Sequence, residues 1–348
     1  MKSIILTLDY ELYGNGSGDV FEHIISPTNK ILDIAEEYNA KLTIFFEVIE
    51  YWKLKIEWEK GNDMGYKENP IKAIENQLQL AYKKGHDIQL HLHPQWVDAK
   101  YENNQWVVNL NEWRLGEYNK EGEFSLNNLL KKGKQTIEKI IMPIDPAYRC
   151  FALRAGGYNA QPSHDIVKAM KETGLVIDSS LFPGGIEYGT LSKYDYSSIP
   201  IDQGYWHTSD FLEEKGDSHI IELPIVAFPI IRLEKFLSPN RIQSLLRNTN
   251  STKQTFNAKT SNKTTYLAKI KYLFETEHQT WDYCLLPKRL HKKFLHSIQQ
   301  QNDRNIFVLV GHPKSFLANS NFEYLLSLLR NKYESTTIAK IYDRIKKP

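Results

Sequence analysis

The sequence of 348 residues has little cysteine and no long apolar segment. Its two cysteines, Cys150 and Cys284, lack the spacing of a metal motif and cannot form a disulfide framework, so we interpret both as buried small apolar residues. No apolar run approaches the roughly 20 residues of a membrane-spanning helix. Met1 and Lys2 lead directly into a strand-like run, without the basic and apolar segments of a signal peptide. We therefore expect a cytoplasmic protein with no integral membrane segment.

Net charge is also small. The 44 lysines and arginines oppose 42 acidic residues, which gives a formal charge of +2. No basic stripe indicates a nucleic acid or an anionic membrane as partner. Hydrophobic residues make up 41% of the chain and charged residues 25%, as in an ordinary globular protein. Aromatic residues, at 12%, are somewhat enriched, and rings with polar groups suit the faces of sugars in a cleft.

Strand-like and helix-like segments alternate along the chain. Apolar runs predict strands near 3–11, 41–46, 148–153 and 305–311, and the pairs Ser26-Pro27 and Asn69-Pro70 predict helix starts. This alternation favours a parallel α/β fold with right-handed crossovers, in which ligands bind at the C-terminal ends of the strands. A barrel of this kind can form one unit of this length. We expect a single domain over residues 1–348, with insertions at about 98–123 and 235–285.

Two pairs of polar side chains mark predicted strand ends. The run from Gly85 to Pro94 carries His91 and His93 at its end, and the first strand closes with Asp9 and Glu11. Side chains two residues apart on a strand point to the same face, so both imidazoles can reach one metal ion. Imidazole with carboxylate, and a position left open for water, suits Zn²⁺ or another borderline divalent metal. The pairs together predict a metallohydrolase.

Six motifs follow one another along the chain: Thr-Leu-Asp-Tyr-Glu at 7–11, Thr-Ile-Phe-Phe at 43–46, Gly-His-Asp-Ile-x-x-His at 85–91, Arg-x-x-x-Tyr at 154–158, Asp178 and Val-x-Gly-His-Pro at 309–313. Their order resembles the polysaccharide deacetylase, or NodB-homology, family. The resemblance covers about residues 3–315, and the variants Asp-x-Glu and His-Leu-His-Pro are similar to a WbmS-like subgroup from surface-polysaccharide gene clusters. It implies an α/β fold, a distorted (β/α) barrel with fewer than eight regular units and inserted loops.

The resemblance implies a catalytic role for four matching residues. Asp9 matches the family's catalytic base, and Arg154 matches the arginine that orients it. Asp178 matches an acidic residue of the supporting shell. His312 matches the general acid, and the ordinary histidine pKa of about 6.5 suits proton donation near neutrality.

The resemblance also implies a metal site formed by Glu11, His91 and His93. His93 departs from the family pattern, in which the second histidine lies four residues after the first; this chain has Gln95 at that place.

Candidate substrate contacts lie on loops and at one further strand end. Trp96, Trp106, Trp113 and Tyr158 are candidates to stack on a sugar, and Glu47 is a candidate polar contact.

These features predict a metal-dependent hydrolase that removes an acetyl or formyl group from an N-acylated sugar or glycan precursor in surface-polysaccharide biosynthesis. One divalent metal is expected, with Zn favoured and Co, Mn, Ni or Fe as alternatives. A metal-independent glycosidase using Asp9 and a second carboxylate is an alternative that leaves His91 and His93 unexplained. A non-catalytic glycan-binding member of the fold is another. A two-histidine, one-carboxylate iron oxygenase fits the ligand types but is expected on an all-β scaffold.

Overall fold

The computed structural model describes residues 1–236, 273–316 and 321–346, so most of the predicted insertion at 235–285 lies outside the described residues. The described strands are, in chain order, Ser3–Tyr10 (β1), Leu42–Glu47 (β2), Asp87–Leu92 (β3), Lys100–Glu102 (β4), Gln105–Val107 (β5), Ala152–Ala155 (β6), Ile177–Asp178 (β7), Ile186–Tyr188 (β8), Lys193–Asp195 (β9), Trp206–His207 (β10), Ile221–Glu222 (β11), Ala227–Ile231 (β12), Thr276–Thr280 (β13), Ile306–Gly311 (β14) and Glu334–Thr336 (β15).

The α-helices pack around these strands, with short 3₁₀ turns between several elements. The described α-helices are Ser26–Glu37 (α1), Val48–Glu59 (α2), Pro70–Lys83 (α3), Leu126–Ile141 (α4), His164–Thr173 (α5), Arg232–Phe236 (α6), Lys288–Gln300 (α7), Asn321–Leu329 (α8) and Ile338–Ile345 (α9). Within this part of the chain, no helix combines the length and the apolar character needed to cross a membrane.

A curled, mostly parallel sheet forms the centre of the molecule. Its strand order is β10-β11-β7-β6-β3-β2-β1-β14, and β15 also pairs with β1. The pairs along this path are parallel except β10 with β11. Ile225, just after β11, bridges to Val308 on β14, and Asp282 bridges to Val310. These bridges bring the far end of the sheet back toward β14, so the sheet forms an incomplete barrel. The predicted α/β barrel is confirmed.

The central strands form from apolar runs of sequence, and both faces of these strands are buried. Every residue of β1, β2 and β3 is buried, as expected for parallel strands packed between layers. Helix α3 begins where the sequence predicts: the Asn69 side chain accepts hydrogen bonds from the backbone amides of Ile71 and Lys72, and Pro70 occupies the first turn. Ser26 is not a helix cap, because the π-helical segment Val20–Ile25 continues directly into α1.

The sequence patterns did not predict helix α2. Apolar and aromatic residues occur on several of its sides, which blurs the helical period. Its N-cap is Glu47, whose carboxylate accepts hydrogen bonds from the amides of Ile49 and Glu50. Within the predicted insertion at 98–123, the structure places the antiparallel hairpin β4–β5 and short 3₁₀ turns.

The polar residues of the sequence motifs collect at one edge of the barrel. Asp9 lies near the end of β1, His91 near the end of β3, and Arg154 on β6; His312 directly follows β14. Parallel strands bring their carboxyl ends together, and the alternation of strand and helix places these distant residues side by side.

Candidate active site

Three buried side chains converge at the barrel edge. Glu11, His91 and His93 are at most 5% exposed, and one potential ligand atom from each lies within 4.8 Å of the others. The Nε2 atoms of His91 and His93 are 3.3 and 2.5 Å from Oε2 of Glu11. Among the described residues, neither nitrogen has a hydrogen-bond partner. Two buried nitrogen atoms aimed at one carboxylate without a hydrogen bond fit a metal ion between the three residues.

The outer nitrogen of each imidazole is held by a neighbouring group. The Nδ1 atom of His91 lies 2.9 Å from the carbonyl oxygen of Arg154, so Nδ1 carries the proton and Nε2 presents its lone pair to the cluster. The Nδ1 atom of His93 lies 2.9 Å from the side-chain amide of Gln95, the residue at the family's usual second-histidine position. His93 also packs against Gly156, where a β-carbon would lie 2.5 Å from the ring.

Asp9 is held by a buried arginine beside this cluster. An NH1 group of Arg154 donates a 2.6 Å hydrogen bond to Oδ1 of Asp9, and the guanidinium is fully buried. The other carboxylate oxygen, Oδ2, lies 3.6 Å from Nε2 of His312. Burial favours the neutral form of Asp9, but the positive charges around it, Arg154 first among them, outweigh burial, and the pKa of Asp9 lies below its ordinary value. Asp9 is therefore ionised near neutrality, with one oxygen directed to Arg154.

Hydrogen bonds and an aromatic ring hold the Arg154 guanidinium in place. It donates hydrogen bonds to the hydroxyl of Thr7 and to the carbonyl and hydroxyl of Ser179, and it lies 4.1 Å from the centre of the Phe45 ring. Asp178 does not bond to Arg154; its carboxylate accepts hydrogen bonds from the amide and hydroxyl of Ser180. Asp178 therefore shapes the loop that carries the arginine's partners.

His312 is oriented by a second carboxylate. Its Nδ1 atom lies 2.8 Å from Oδ2 of Asp282, and the other Asp282 oxygen accepts hydrogen bonds from the amides of Cys284 and Leu285. This pairing leaves Nε2 of His312 facing Asp9. Burial alone would lower the pKa of His312, but the charges of Asp282 and Asp9 raise it above its ordinary value. The histidine can thus hold a proton on Nε2 near neutrality.

A lysine holds the remaining oxygen of Glu11. The Nζ atom of Lys314 donates hydrogen bonds to Oε1 of Glu11, at 2.8 Å, and to the carbonyl oxygen of Leu12, at 2.7 Å. Burial favours the neutral form of Glu11, but Lys314 and His93 hold the pKa of its carboxyl group well below the ordinary value. Glu11 is therefore an anion whose Oε2 is directed toward the two imidazoles.

The candidate substrate residues take different positions. Tyr158 is half-buried next to the site, with its hydroxyl 3.5 Å from that of Thr280. Trp96 is 1% exposed and packs edge to face on Trp106, so it offers no open ring face to a ligand. Glu47 is also 1% exposed and caps helix α2; burial, with the charges of Glu50 and Glu11, raises its pKa well above the ordinary value.

Sequence reasoning missed several residues that support the site. Asp282 is separated from His312 by 30 positions and by helix α7. The only signal was an acidic residue flanked by buried aromatic ones, Trp281 and Tyr283. Lys314 was overlooked because a lysine in a loop after a strand has no distinctive pattern.

We expect Asp282→Asn to move the alkaline limb of the pH profile to lower pH. The asparagine keeps an oxygen for the turn at Cys284 but loses the charge that raises the pKa of His312, so the protonated histidine is lost about one pH unit earlier. The measurement is kcat/KM against pH, supported by NMR titration of His312. An alkaline limb that stays in place would show that Asp282 does not tune this histidine.

No protein-family model matches the sequence, and no curated protein resembles it in sequence. Solved structures do resemble the fold. A protein assigned as a polysaccharide deacetylase from Mycobacterium smegmatis superposes with a TM-score of 0.50 at 11% identity, over 99% of this chain and 90% of that one. A second from Pseudomonas aeruginosa gives a TM-score of 0.45 at 11% identity, over 99% and 92% of the two chains. The 4-α-glucanotransferase of Thermococcus litoralis gives 0.47 at 12% identity, over 99% and 40%.

The likeness to the M. smegmatis protein establishes the fold. The chain is a mixed α/β protein whose curled parallel sheet forms an incomplete barrel, and in this fold it resembles the M. smegmatis protein. The buried cluster of one glutamate and two histidines, which could hold a metal, lies at the carboxyl edge of that barrel.

Proposed function

We propose that this protein is a metal-dependent hydrolase that removes an N-acyl group, acetyl or formyl, from a sugar or glycan. One observation carries the proposal: two buried imidazole nitrogen atoms face one carboxylate oxygen at 3.3 and 2.5 Å without a hydrogen bond, next to an ionised Asp9 and a proton-holding His312. The deacetylase-like barrel supports the same chemistry, since the site occupies the carboxyl edge where such folds bind ligands.

Each residue of the cluster has a place in amide hydrolysis. A divalent ion held by Glu11, His91 and His93 supplies Lewis acidity, which polarises a carbonyl and makes water a stronger acid. Asp9 accepts a proton from the attacking water through Oδ2, while Arg154 keeps the carboxylate ionised and fixed. When the carbon–nitrogen bond breaks, Nε2 of His312 donates its proton to the leaving amine.

The identity of the metal and the origin of the substrate are proposed from the residue types and from the family resemblance. Two imidazoles and one carboxylate favour Zn²⁺, with Co, Mn, Ni and Fe as further candidates. The resemblance to the WbmS-like subgroup supports a substrate from surface-polysaccharide biosynthesis. We propose a cytoplasmic location for the enzyme. We propose that the chain works as one deacetylase-like domain, with Tyr158 beside the reacting group and Asp178 supporting the loop behind Arg154.

We expect the purified protein to contain about one divalent ion per chain and to lose acyl release when that ion is chelated. His91→Ala and His93→Ala each remove one of three ligands, so metal content should fall to near zero in both. Elemental analysis with acetate or formate release measures this. His291→Ala is a matched control, because His291 is an equally buried imidazole bonded to Trp281 outside the site. Full metal retention by His93→Ala would refute the ligand assignment, and undiminished acyl release after chelation would refute the metal dependence of the reaction.

A further inference from the structure

Two buried acidic side chains meet across neighbouring strands of the central sheet. Asp178 is the last residue of β7 and Glu222 is the last residue of β11, and the register of this parallel pair places them opposite each other. Both side chains are fully buried, and their carboxyl groups are within hydrogen-bonding distance. An ionised carboxylate can only accept hydrogen bonds, so the two groups can bond to each other only if one of them carries a proton.

The surrounding hydrogen bonds place this proton on Glu222. The amide and the hydroxyl of Ser180 donate to the two oxygens of Asp178, both at 2.9 Å, and these bonds favour the ionised form of Asp178. Glu222 receives one backbone hydrogen bond, from the amide of Leu181 to Oε1 at 3.2 Å. Among the described residues no donor reaches its Oε2. A buried oxygen without a donor is costly, and a proton on Oε2 removes that cost by making it the donor to Asp178.

The charges around the pair allow it to keep the proton at neutral pH. Burial raises the pKa of both carboxyl groups, and the charge of Asp178 raises the pKa of Glu222 further, well above its ordinary value. Arg154, on β6, lowers both pKa values, but by less than burial raises them. The Tyr196 hydroxyl also faces Asp178, and burial raises its pKa far enough to keep it neutral. From β10, the residue opposite Glu222 is Trp206, which has no charge.

Residues 179–181 connect the carboxyl pair to the Arg154 guanidinium. The carbonyl and hydroxyl oxygens of Ser179 accept hydrogen bonds from Arg154 at 2.8 and 3.0 Å. The same hydroxyl donates to the carbonyl oxygen of Leu223, the residue after Glu222. Because the carboxyl pair also bonds to the two residues that follow Ser179, a displacement of either carboxyl group moves the acceptors of the guanidinium.

We propose that Glu222 is a positioning residue for the candidate active site and acts as the hydrogen-bond donor of a buried carboxyl pair. Its protonated carboxyl group donates to Asp178, and the closed pair keeps Ser179 against Arg154, which in turn fixes Asp9. When Glu222 loses its proton at alkaline pH, two negative charges face each other in the interior and residues 179–181 move away from the guanidinium. The effect on turnover rests on the proposed function, whereas the shared proton and the hold on Arg154 do not.

The first test compares the unfolding of the wild type and of Glu222→Gln at different pH values. The glutamine amide donates to Asp178 at every pH, whereas the glutamate depends on a proton that the unfolded chain releases at about pH 4.3. Relative to the variant, the unfolding constant of the wild type should therefore rise by up to about tenfold per pH unit above about pH 5, measured by urea unfolding. A ratio that does not change with pH would mean that Glu222 is already ionised and would overturn the proposal.

The second test follows the exchange of the Arg154 Nε–H proton with solvent by NMR. This proton is bonded to the carbonyl oxygen of Ser179, so its exchange reports whether residues 179–181 are in place. We expect Glu222→Leu, which has no donor, to speed this exchange about tenfold and to lower kcat by a similar factor with KM little changed, the size of one net hydrogen bond. Glu222→Gln should retain the wild-type exchange rate and kcat at pH 7.

The wild type itself tests the positioning role if Glu222→Leu does not fold. Above the pH at which the unfolding ratio levels off, Glu222 has lost its proton. The Arg154 Nε–H proton of the wild type should then exchange faster than that of Glu222→Gln at the same pH. Equal rates in the two proteins would show that the carboxyl pair does not hold the guanidinium.

Thr208→Val is the matched control for the loss of a buried polar group. Thr208 is fully buried one residue after β10, and its hydroxyl donates to the carbonyl oxygen of Ser209, outside residues 179–181. The variant should leave the Arg154 Nε–H exchange and kcat at their wild-type values. Equal effects of Thr208→Val and Glu222→Leu, or unchanged exchange in Glu222→Leu, would overturn the positioning role.

The measurements separate this inference from the proposed function. If the wild type releases no acyl group, the proposed hydrolase is refuted, and the unfolding ratio and the Arg154 Nε–H exchange still decide whether Glu222 shares its proton and holds the guanidinium. If acyl release is normal but neither the unfolding ratio nor the exchange responds to Glu222, the hydrolase stands and the positioning role is refuted.

Discussion

Asp9→Asn is expected to lower kcat/KM by about 10²–10⁴-fold, the usual contribution of a positioned general base. The asparagine retains an oxygen for Arg154, so the geometry of the pair is largely kept, but an amide cannot accept a proton from water at neutral pH. Asp9 is not among the three residues whose ligand atoms cluster, so the metal content should stay at the wild-type level. Steady-state kinetics with elemental analysis of the same sample measure both effects.

The matched control for this prediction is Asp87→Asn. Asp87 is also a buried aspartate, but it lies at the opposite end of β3 and accepts hydrogen bonds from Thr43, Gln89 and the amide of Ala339. Its substitution should leave kcat/KM within a few-fold of wild type once the folded fraction is accounted for. Loss of the metal from Asp9→Asn would make Asp9 a ligand rather than a base. Unchanged turnover would remove it from the reaction.

The parts of the site that could be predicted from the sequence share one property. Asp9, Glu11, His91 and His93 sit at the ends of strands, and two rules place them: alternate side chains share a face, and parallel strands end at one edge. Neither rule requires knowledge of distant contacts. The pairing of His91 with Arg154 on neighbouring strands follows from the same register.

The supporting residues were harder to predict because their positions depend on how separate loops meet. Asp282 reaches His312 because its segment bridges to β14 at Val310, a contact that no local pattern specifies. Lys314 reaches Glu11 only because the turn after β14 lies against the loop after β1. Short-range periodicity describes which face of an element is apolar, and it contains no information about such encounters between loops.

Trp96 and Glu47 show that the same sequence rules also select residues with structural roles. Glu47 is the last residue of a strand and Trp96 lies just after one, as functional residues do, yet Trp96 fills core space beside Trp106 and Glu47 caps a helix. A strand end in this fold is also where the next helix must begin and where the barrel must be closed. Position along the chain selects candidates, and burial and hydrogen bonding decide among them.

Arg154→Met is expected to be the most destabilising substitution at the site, by about 3–5 kcal/mol, because it leaves the Asp9 carboxylate buried without its partner. Methionine keeps much of the side-chain volume but supplies no donor to Thr7 or Ser179. With the positive charge gone, burial dominates and the pKa of Asp9 rises, so the acid limb of kcat/KM should move to higher pH. Urea unfolding and the pH profile measure the two effects.

Arg304→Met separates these effects from the general cost of removing a buried arginine. Arg304 is 2% exposed and donates to the carbonyl oxygens of Ile306, Ile201 and Pro224, with no carboxylate among these acceptors. Its loss should lower stability and leave the acid limb where it is in the wild type. If both variants shift the acid limb equally, the shift reflects a loosened fold and Arg154 does not set the charge of Asp9. If only Arg154→Met shifts it, the guanidinium is what keeps the proposed base ionised.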